Sequence, residues 1–588
     1  MSANHSALTA GVRYQPDEKI PIALAIGLGL QLTFLTIAAI MLIPTIVMRA
    51  GGQTEAYVSW AVFASVVVCG MTTVLQAFRI GRIGMGHVLV MGTSGAFITV
   101  CIAAVAKSGP ALLATLVLIS ALVPLVLSWR LSLFQRILTP TVSGTVIMLI
   151  PITVMPYVSD LLMNASHEQP AVAAPLCALA TVLVISGVAL KGTARLRLWA
   201  PVIGVIIGSV IASLYGLYDV DRVASAAWIG IPISQWPGFD VEFGTTFWSL
   251  LPAFLLVAMI ASIRTMSSSV AIQRVSWRQQ RSVDFRAVQG AMTVDGLGNL
   301  LSGLAGTIPG SATTMSVSMT ELTGVGARSV GVATGATFII LAFLPKPVAV
   351  VLAIPDAVFA GYLFVLLTML FIVGIKIIIQ DGLDYHTGLI AGISFLVGVA
   401  FHYDMIFPDF TSAFAGGLLQ NGMNAGGFTA IFMSLFMELV ERRRNKIETV
   451  FSPSALPEVR EFLRVFASSN GWDSAMTNRL DAVCEETILT LMRHDEAPQD
   501  HAGLRLYLAA YKKDSGAVLE FVVAPREENL HDRLVLLSEK SGEIPPEREV
   551  SLRLLRHLAS SVRHQQYLDT DIVTVHVQPP TPIRPTSA

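Results

Sequence analysis

The sequence predicts an α-helical polytopic membrane protein, with fourteen transmembrane segments in two inverted seven-segment repeats and a cytoplasmic α/β domain behind them. Three observations predict it. Of 588 residues, 53% are hydrophobic and 13% charged, about half the charged share of a soluble chain. The apolar residues gather into runs of roughly 17–25, the length that spans a bilayer. Two of those runs, about 218 residues apart, are interrupted by the same kind of poor helix former. The mean hydropathy of +0.66 excludes a disordered chain and argues against a soluble enzyme. A net charge of −1 offers no bulk attraction to nucleic acid. The four cysteines, Cys69, Cys101, Cys177 and Cys484, are scattered, so neither a disulfide framework nor a zinc site is indicated.

In chain order, residues 1–19 read as a polar cytoplasmic tail. They are not a signal peptide, because no small-residue cleavage site follows and the first apolar run continues past an h-region. A membrane domain occupies 20–441. Its clear spans are 21–48, 56–77, 87–105, 110–128, 139–157, 171–190, 199–217, 246–267, 329–345, 357–374, 387–403 and 426–440, and the apolar but broken stretch 288–327 supplies two more. With the N-terminus inside, the cytoplasmic side holds Arg79, Arg82, Arg130, Arg136, Lys191, Arg195, Arg197, Arg274, Arg278, Arg281, Arg286, Arg328, Lys376 and the Arg442–Lys446 cluster. The opposite side keeps Arg49, Lys107, Arg222 and Lys346. That asymmetry follows the positive-inside rule and puts both termini in the cytoplasm, as expected for a plasma or bacterial inner membrane protein. A basic linker, 442–454, leads to a soluble domain over 455–577. About half of all Asp and Glu lie beyond residue 447. A Pro-rich tail, 578–588, reads as disordered.

The two broken runs are Met91-Gly92-Thr93-Ser94-Gly95-Ala96-Phe97-Ile98 and Ile308-Pro309-Gly310-Ser311-Ala312-Thr313-Thr314-Met315-Ser316-Val317-Ser318. Each falls in the third pass of its half, since the first pass starts near 21 and the eighth near 246. Paired interruptions in two halves point to a transporter with its site at the bilayer midplane. There the freed backbone groups need polar partners, and a substrate can supply them. The competing reading is that small residues permit close helix packing.

Residues 21–440 resemble the nucleobase–cation symporter-2 family, the uracil, xanthine and ascorbate permeases. The resemblance rests on Ala25–Pro44, with Gln31 followed by Leu32 where the family has His; on Leu75-Gln76 and Gly81–Phe97, with Gly95 in place of a Phe; and on Thr139–Pro151. Asp295-Gly296-Leu297-Gly298, Leu322-Thr323-Gly324-Val325 and Ile354-Pro355-Asp356-Ala357-Val358 follow in order. The resemblance implies a core of helices 1–4 and 8–11 moving against a gate of helices 5–7 and 12–14. It also implies short antiparallel strands in broken helices 3 and 10, alternating access by an elevator-like motion, and a homodimer. The substrate-binding residues it points to are Gln31, Thr93, Ser94, Gly95, Phe97, Ala261, Arg264, Ser311, Met315, Ser316 and Ser318.

This chain departs from the family where the base is bound. The eighth helix of the family reads E-S-x-G-D. Here it is Ala261-Ser262-Ile263-Arg264-Thr265. The carboxylate that accepts hydrogen bonds from a planar ring is absent, and an intramembrane Arg is gained, which is by default a functional hypothesis. Arg264 either grips an anionic ligand such as urate or xanthine anion, or sits at a helix end or pairs with Glu321. Asp295 and His87 are the candidates for carrying a coupling proton or sodium ion, against local capping or structural roles. No catalytic or metal-binding group stands out.

The soluble domain reads helix, helix, strand, strand, helix, strand: Pro457–Ser468, Asn478–His494, Leu504–Tyr511, Ala517–Val523, Val550–Arg563 and Asp571–Val577. Its second helix resembles that of GHKL-type, anti-sigma-factor-like ATPases, through Glu485, Glu486 and His494. Thr490 replaces the magnesium-binding Asn, and Pro525–Asn529 stands where a DxGxG motif belongs. A domain that does not bind ATP and serves regulation or dimerisation is expected, with a cytoplasmic regulatory partner. The main reading is an ion-coupled secondary transporter of nucleobases or similar small heterocycles; the alternatives are a sensor that kept the scaffold without transport, or a small organic-anion transporter on the same scaffold.

Overall fold

Apolar runs of bilayer length have no water to satisfy their backbone, so they fold as helices. The computed structural model describes residues 12–129, 139–165, 172–232, 236–278, 281–380, 385–406, 422–441, 445–452, 455–492, 505–513, 516–523, 554–566 and 571–579. Contacts divide the chain into two units, Met1–Gln279 with Ala287–Met437, and Gln280–Arg286 with Glu438–Ala588.

The first unit contains α1 (Ile22–Ala50), α2 (Glu55–Ala77), strand β1 (Met91–Thr93), α3 (Ile98–Ser120), α4 (Leu122–Trp129), α5 (Pro140–Ala165), α6 (Ala173–Lys191), α7 (Ala194–Leu214) and α8 (Val220–Ser225). It continues with α9 (Thr245–Ser276), α10 (Phe285–Leu304), strand β2 (Gly310–Ala312), α11 (Met315–Thr323), α12 (Arg328–Ala342), α13 (Pro345–Leu352), α14 (Asp356–Gln380), α15 (Tyr385–His402) and α16 (Gly422–Glu441). Among the described residues, eight helices are long and apolar enough to cross a membrane. The third and fourth expected spans form one apolar stretch, Gly95–Trp129. It is broken at Gly109, whose φ of 82° is open to glycine at little cost, followed by Pro110, which lacks an N–H. The eleventh expected span is a pair, α12 and α13, bent by 80°. The stretches expected as the other passes hold the shorter or more polar α7, α10, β2 with α11, and α16.

These helices pack as two bundles. In one, α1, α2 and α12 pack together, and α9 packs against α3, α4, α11 and β2. In the other, α14 lies against α5, α6 and α7, and α15 lies against α5. Glycines bring backbones close within each bundle. A Cβ on Gly70 would stand 2.8 Å from the Gly335 carbonyl oxygen, and one on Gly144 would stand 2.7 Å from that of Gly374. The short helices α8 and α13 lie in the connections that pass from one bundle to the other.

The second unit holds a five-stranded antiparallel sheet in the order β3-β4-β5-β7-β6. Its strands are β3 (Asn445–Val450), β4 (Arg505–Lys513), β5 (Gly516–Val523), β6 (Ser561–Gln566) and β7 (Asp571–Val577), with helices α17 (Leu456–Ser469) and α18 (Ser474–Met492) between β3 and β4. Phe451, Leu463, Phe466, Leu480, Ile488, Phe521 and Val573 share one buried core. Two expectations change here. The stretch read as linker carries β3, which pairs with β4 from Asn445 opposite Ala510 to Val450 opposite Arg505. The helix expected over 550–563 gives way by Ser561 to β6, whose Ser561 pairs with His576. Ladder pairing with β7 outweighs the helical spacing of its apolar residues.

Candidate functional site

The two broken runs meet. Strands β1 and β2 pair antiparallel, with Met91 opposite Ala312, Gly92 opposite Ser311 and Thr93 opposite Gly310. The ladder is extended by Thr313 N–H donating to Val90 O at 2.8 Å and Ser94 N–H donating to Pro309 O at 3.1 Å. A two-stranded ladder has outward N–H groups with no partner strand, and between apolar helices these must be satisfied by side chains. Thr73 Oγ1 accepts from Met91 N at 3.0 Å. Thr265 Oγ1 accepts from Ala312 N at 3.1 Å. Asn299 Oδ1 accepts from Gly310 N at 2.7 Å. Thr93 Oγ1 in turn donates to the carbonyls of Ala39 at 3.2 Å and Ile40 at 3.4 Å, which fixes β1 against α1.

Of the expected binding residues, Thr93, Ser94, Gly95, Phe97, Ser311 and Ser316 lie in this pair or directly beside it in the chain. Ser94, Gly95 and Phe97 are buried at the head of α3, and Phe97 tilts against Phe254 of α9 at 6.3 Å between ring centres. Ser311 and Ser316 are buried, while Met315 and Ser318 are partly exposed. Ser316 Oγ donates to Thr313 O at 3.2 Å. Ala261 is buried on α9, the helix that packs against β2 and the turn at Gly95–Phe97. Gln31 lies apart from the strands. It is exposed and lies eight residues before Ala39, about 12 Å along the helix axis, so α1 meets the strands through Ala39 and Ile40 instead. The residues that sequence reading missed are Thr73, Asn299 and the pair Leu366 and Leu370 of α14. The leucine tips lie 3.9 and 3.7 Å from where a Cβ on Gly95 would stand. Nothing in the linear sequence connects α14 of one bundle with Gly95 of the other.

The hydroxyls of Ser94 and Thr313 are buried without a hydrogen-bond partner among the described residues. They sit at opposite ends of the ladder, beside the N-termini of α3 and α11. Asp295 is 1% exposed. Its Oδ2 accepts from Thr265 Oγ1 at 3.2 Å, and its Oδ1 has no partner among the described residues. Thr265 therefore joins a buried carboxylate to strand β2. Arg264, the residue before it, is partly exposed, and no ion pair to Glu321 or any other described acid engages it. His87 is buried, its Nδ1 lies 3.2 Å from Met85 O, and its ring meets Trp277 edge-on at 5.9 Å.

The model of the permease family, that of the xanthine and uracil permeases, matches residues 24–405. The chain belongs to that family. It is accordingly an integral membrane permease rather than an enzyme. The xanthine permease XanP of Escherichia coli is 27% identical over 399 residues, which cover 65% of this chain and 84% of the relative. XanQ of Escherichia coli is 25% identical over 475 residues, 76% of this chain and 94% of the relative. The xanthine permease of Bacillus subtilis is 26% identical over 432 residues, 72% and 95% of the two chains. Among solved structures, the transmembrane domain of the cyanobacterial bicarbonate transporter BicA aligns at a TM-score of 0.42 and 19% identity. It covers 72% of this chain and 99% of that one. SLC26A9 aligns at 0.45 and 12%, covering 73% and 67%.

In the second unit, the acids that suggested an ATPase-like helix are partly engaged. Arg460 of α17 donates to Glu485 Oε2 at 2.5 Å and to Asp481 Oδ1 at 3.0 Å. Thr490 Oγ1 and Glu486 Oε2 are buried without a partner among the described residues. His494 and Pro525–Asn529 lie outside the described residues.

Proposed function

We propose that this permease carries xanthine or a closely related heterocycle across the membrane, bound between β1, β2 and α9. The observation that carries the reading is the strand pair itself. It is polar backbone set into broken apolar helices, with Ser94 and Thr313 hydroxyls left unsatisfied where a ring with donors and acceptors would satisfy them. The names of the relatives supply the substrate class. Transport runs by alternating access of the two bundles, arranged as inverted repeats of seven passes. Asp295 holds the coupling proton or sodium ion, with His87 the second candidate.

Arg264 favours one form of substrate. In this chain Ala261 replaces the family's Glu, Thr265 replaces its Asp, and Arg264 replaces its Gly, so negative charge is removed and positive charge added. An unpaired guanidinium in a bundle of low polarity attracts an anion, and its planar fork grips one with two parallel hydrogen bonds. The ligand is therefore an anionic or oxo-rich purine in preference to neutral uracil. Purified full-length protein should be stabilised against heat by xanthine or urate more than by uracil. Arg264→Ala should lose that stabilisation while remaining folded, and Arg264→Lys should recover part of it. Unchanged affinity in Arg264→Ala would remove the anion preference and leave the permease reading standing. Binding without uptake into proteoliposomes would point to a sensor.

A further inference from the structure

At the far end of α1 from its start, four charged side chains form an alternating chain. Arg49 Nε donates to Glu55 Oε1 at 3.0 Å, and Arg49 Nη1 to Asp356 Oδ1 at 3.4 Å. Arg49 Nη2 donates to the carbonyl of Leu352 at 2.8 Å. Arg222 Nη2 donates to Glu55 Oε2 at 2.7 Å. The guanidinium of Arg49 also lies over the ring of Phe359, 5.9 Å from its centre.

The placement of these groups is what matters. Arg49 and Glu55 belong to α1 and α2, in the first bundle. Asp356 and Phe359 belong to α14, in the second. Leu352 ends α13 and Arg222 lies on α8, the two short helices in the connections between the bundles. One guanidinium thus touches both bundles and one of the connectors, and Glu55 ties in the other. Tyr157 of α5 adds a neutral cross-tie, donating to Ile46 O at 3.3 Å.

The same end is closed around α1. Every residue from Ile40 to Met48 is buried, whereas Ile22, Ile26, Leu30, Gln31 and Phe34 toward the other end are exposed. A sliding of one bundle past the other would separate Arg49 from Asp356 and from Phe359. These contacts belong to this arrangement of the bundles, not to either bundle alone.

We propose that Arg49, Glu55, Arg222 and Asp356 form an ionic latch that holds the bundles closed at this end, so that its release sets how often the site opens there. The proposal rests on the reading that the two bundles move. The latch residues lie in the first and last turns of their helices, well away from β1 and β2. Their loss therefore alters access and leaves the binding of ligand intact.

The test uses the full chain in proteoliposomes, with Ile46→Cys as a reporter, since Ile46 is buried beneath the latch. Arg49→Ala and Asp356→Asn should each speed alkylation of Ile46→Cys by about fivefold, as should high salt, because the pairs are partly exposed. Xanthine affinity should stay within about twofold of the parent, since the strands are untouched and a roughly fivefold rise in a minor open state leaves the population of the major state almost unchanged. Arg49→Lys, which keeps the positive charge facing Glu55 and Asp356, should return alkylation toward the parent rate, which a merely misfolded variant would not do. Equal alkylation in Arg49→Ala and the parent would overturn the latch. Separately, Arg49→Cys with Asp356→Cys, joined by a bifunctional thiol reagent, should stop xanthine uptake. Undiminished uptake in the joined protein would overturn the moving-bundle reading itself, and the latch with it.

Discussion

A backbone N–H on the outer edge of a strand has no neighbouring strand to receive it. In this molecule the side chains of Thr73, Thr265 and Asn299 take that role. Thr265 does more than Thr73, because its hydroxyl also donates to Asp295. Thr265→Val, nearly isosteric, leaves a buried N–H and a buried carboxylate oxygen unpaired at once, at a cost of about 1–3 kcal/mol for each orphaned group. Thr73→Val orphans the Met91 N–H alone. Thermal unfolding in detergent should therefore rank parent and Thr265→Ser above Thr73→Val, and Thr73→Val above Thr265→Val. Equal melting of the two valine variants would mean that the Asp295 contact adds nothing to stability.

Between elements, two kinds of contact have different strengths. Glycine crossings set the rigid packing inside each bundle. A Cβ on Gly335 would stand 2.6 Å from Gly70 O, and one on Gly374 would stand 2.7 Å from Gly144 O. Each clash is with backbone, which cannot turn aside, so Gly335→Ala and Gly374→Ala should each cost about 1–3 kcal/mol through overpacking. Gly187→Ala meets nothing within 4 Å and should melt as the parent does. If all three variants melt alike, the close crossings are not what holds the bundles. Contacts across the bundles are of another kind. The Arg49–Asp356 and Arg222–Glu55 pairs have side chains 21–52% exposed, and such pairs contribute about 0–1 kcal/mol each. Bonds of that strength can break and re-form in a transport cycle, whereas interlocked backbones cannot.

The helical unit and the sheet unit each have a large core of their own, and the helical unit holds a further small cluster of Met85, Leu89, Met91, Ile272, Ala287, Ala291 and Ala312 about the strand pair. All four cysteines are free and buried. Cys69, Cys101 and Cys177 report on the first core, and Cys484 on the second. Burial raises the Cys484 thiol above its ordinary range, so little reactive thiolate exists in the folded state. Folded protein should resist a maleimide at all four positions. As urea rises, Cys484 should react before Cys69 and Cys101, because the sheet unit depends on water for its hydrophobic stabilisation, while helices held in apolar surroundings satisfy their own backbone. Simultaneous reaction would show one cooperative unit in place of two.

Much of this was legible in the chain. Hydropathy and span length determined a polytopic helical protein, because a bilayer leaves an apolar backbone no alternative. The paired interruptions at Met91–Ile98 and Ile308–Ser318 marked two segments that pair with each other as β1 and β2, because residues that break a helix inside a membrane must find partners. The family resemblance followed from motifs such as Thr139–Pro151. Other features waited for the tertiary structure. Gln31 shares a helix with the site and yet stands about 12 Å away along it. The partners of the strand edges, the leucines facing Gly95, and the chain of charges from Asp356 to Arg222 join residues up to 307 positions apart. Strand β3 hid in a charged stretch because ladder pairing depends on a neighbour that local periodicity does not describe. Sequence determines what each segment must bury or satisfy; only packing decides which distant group does it.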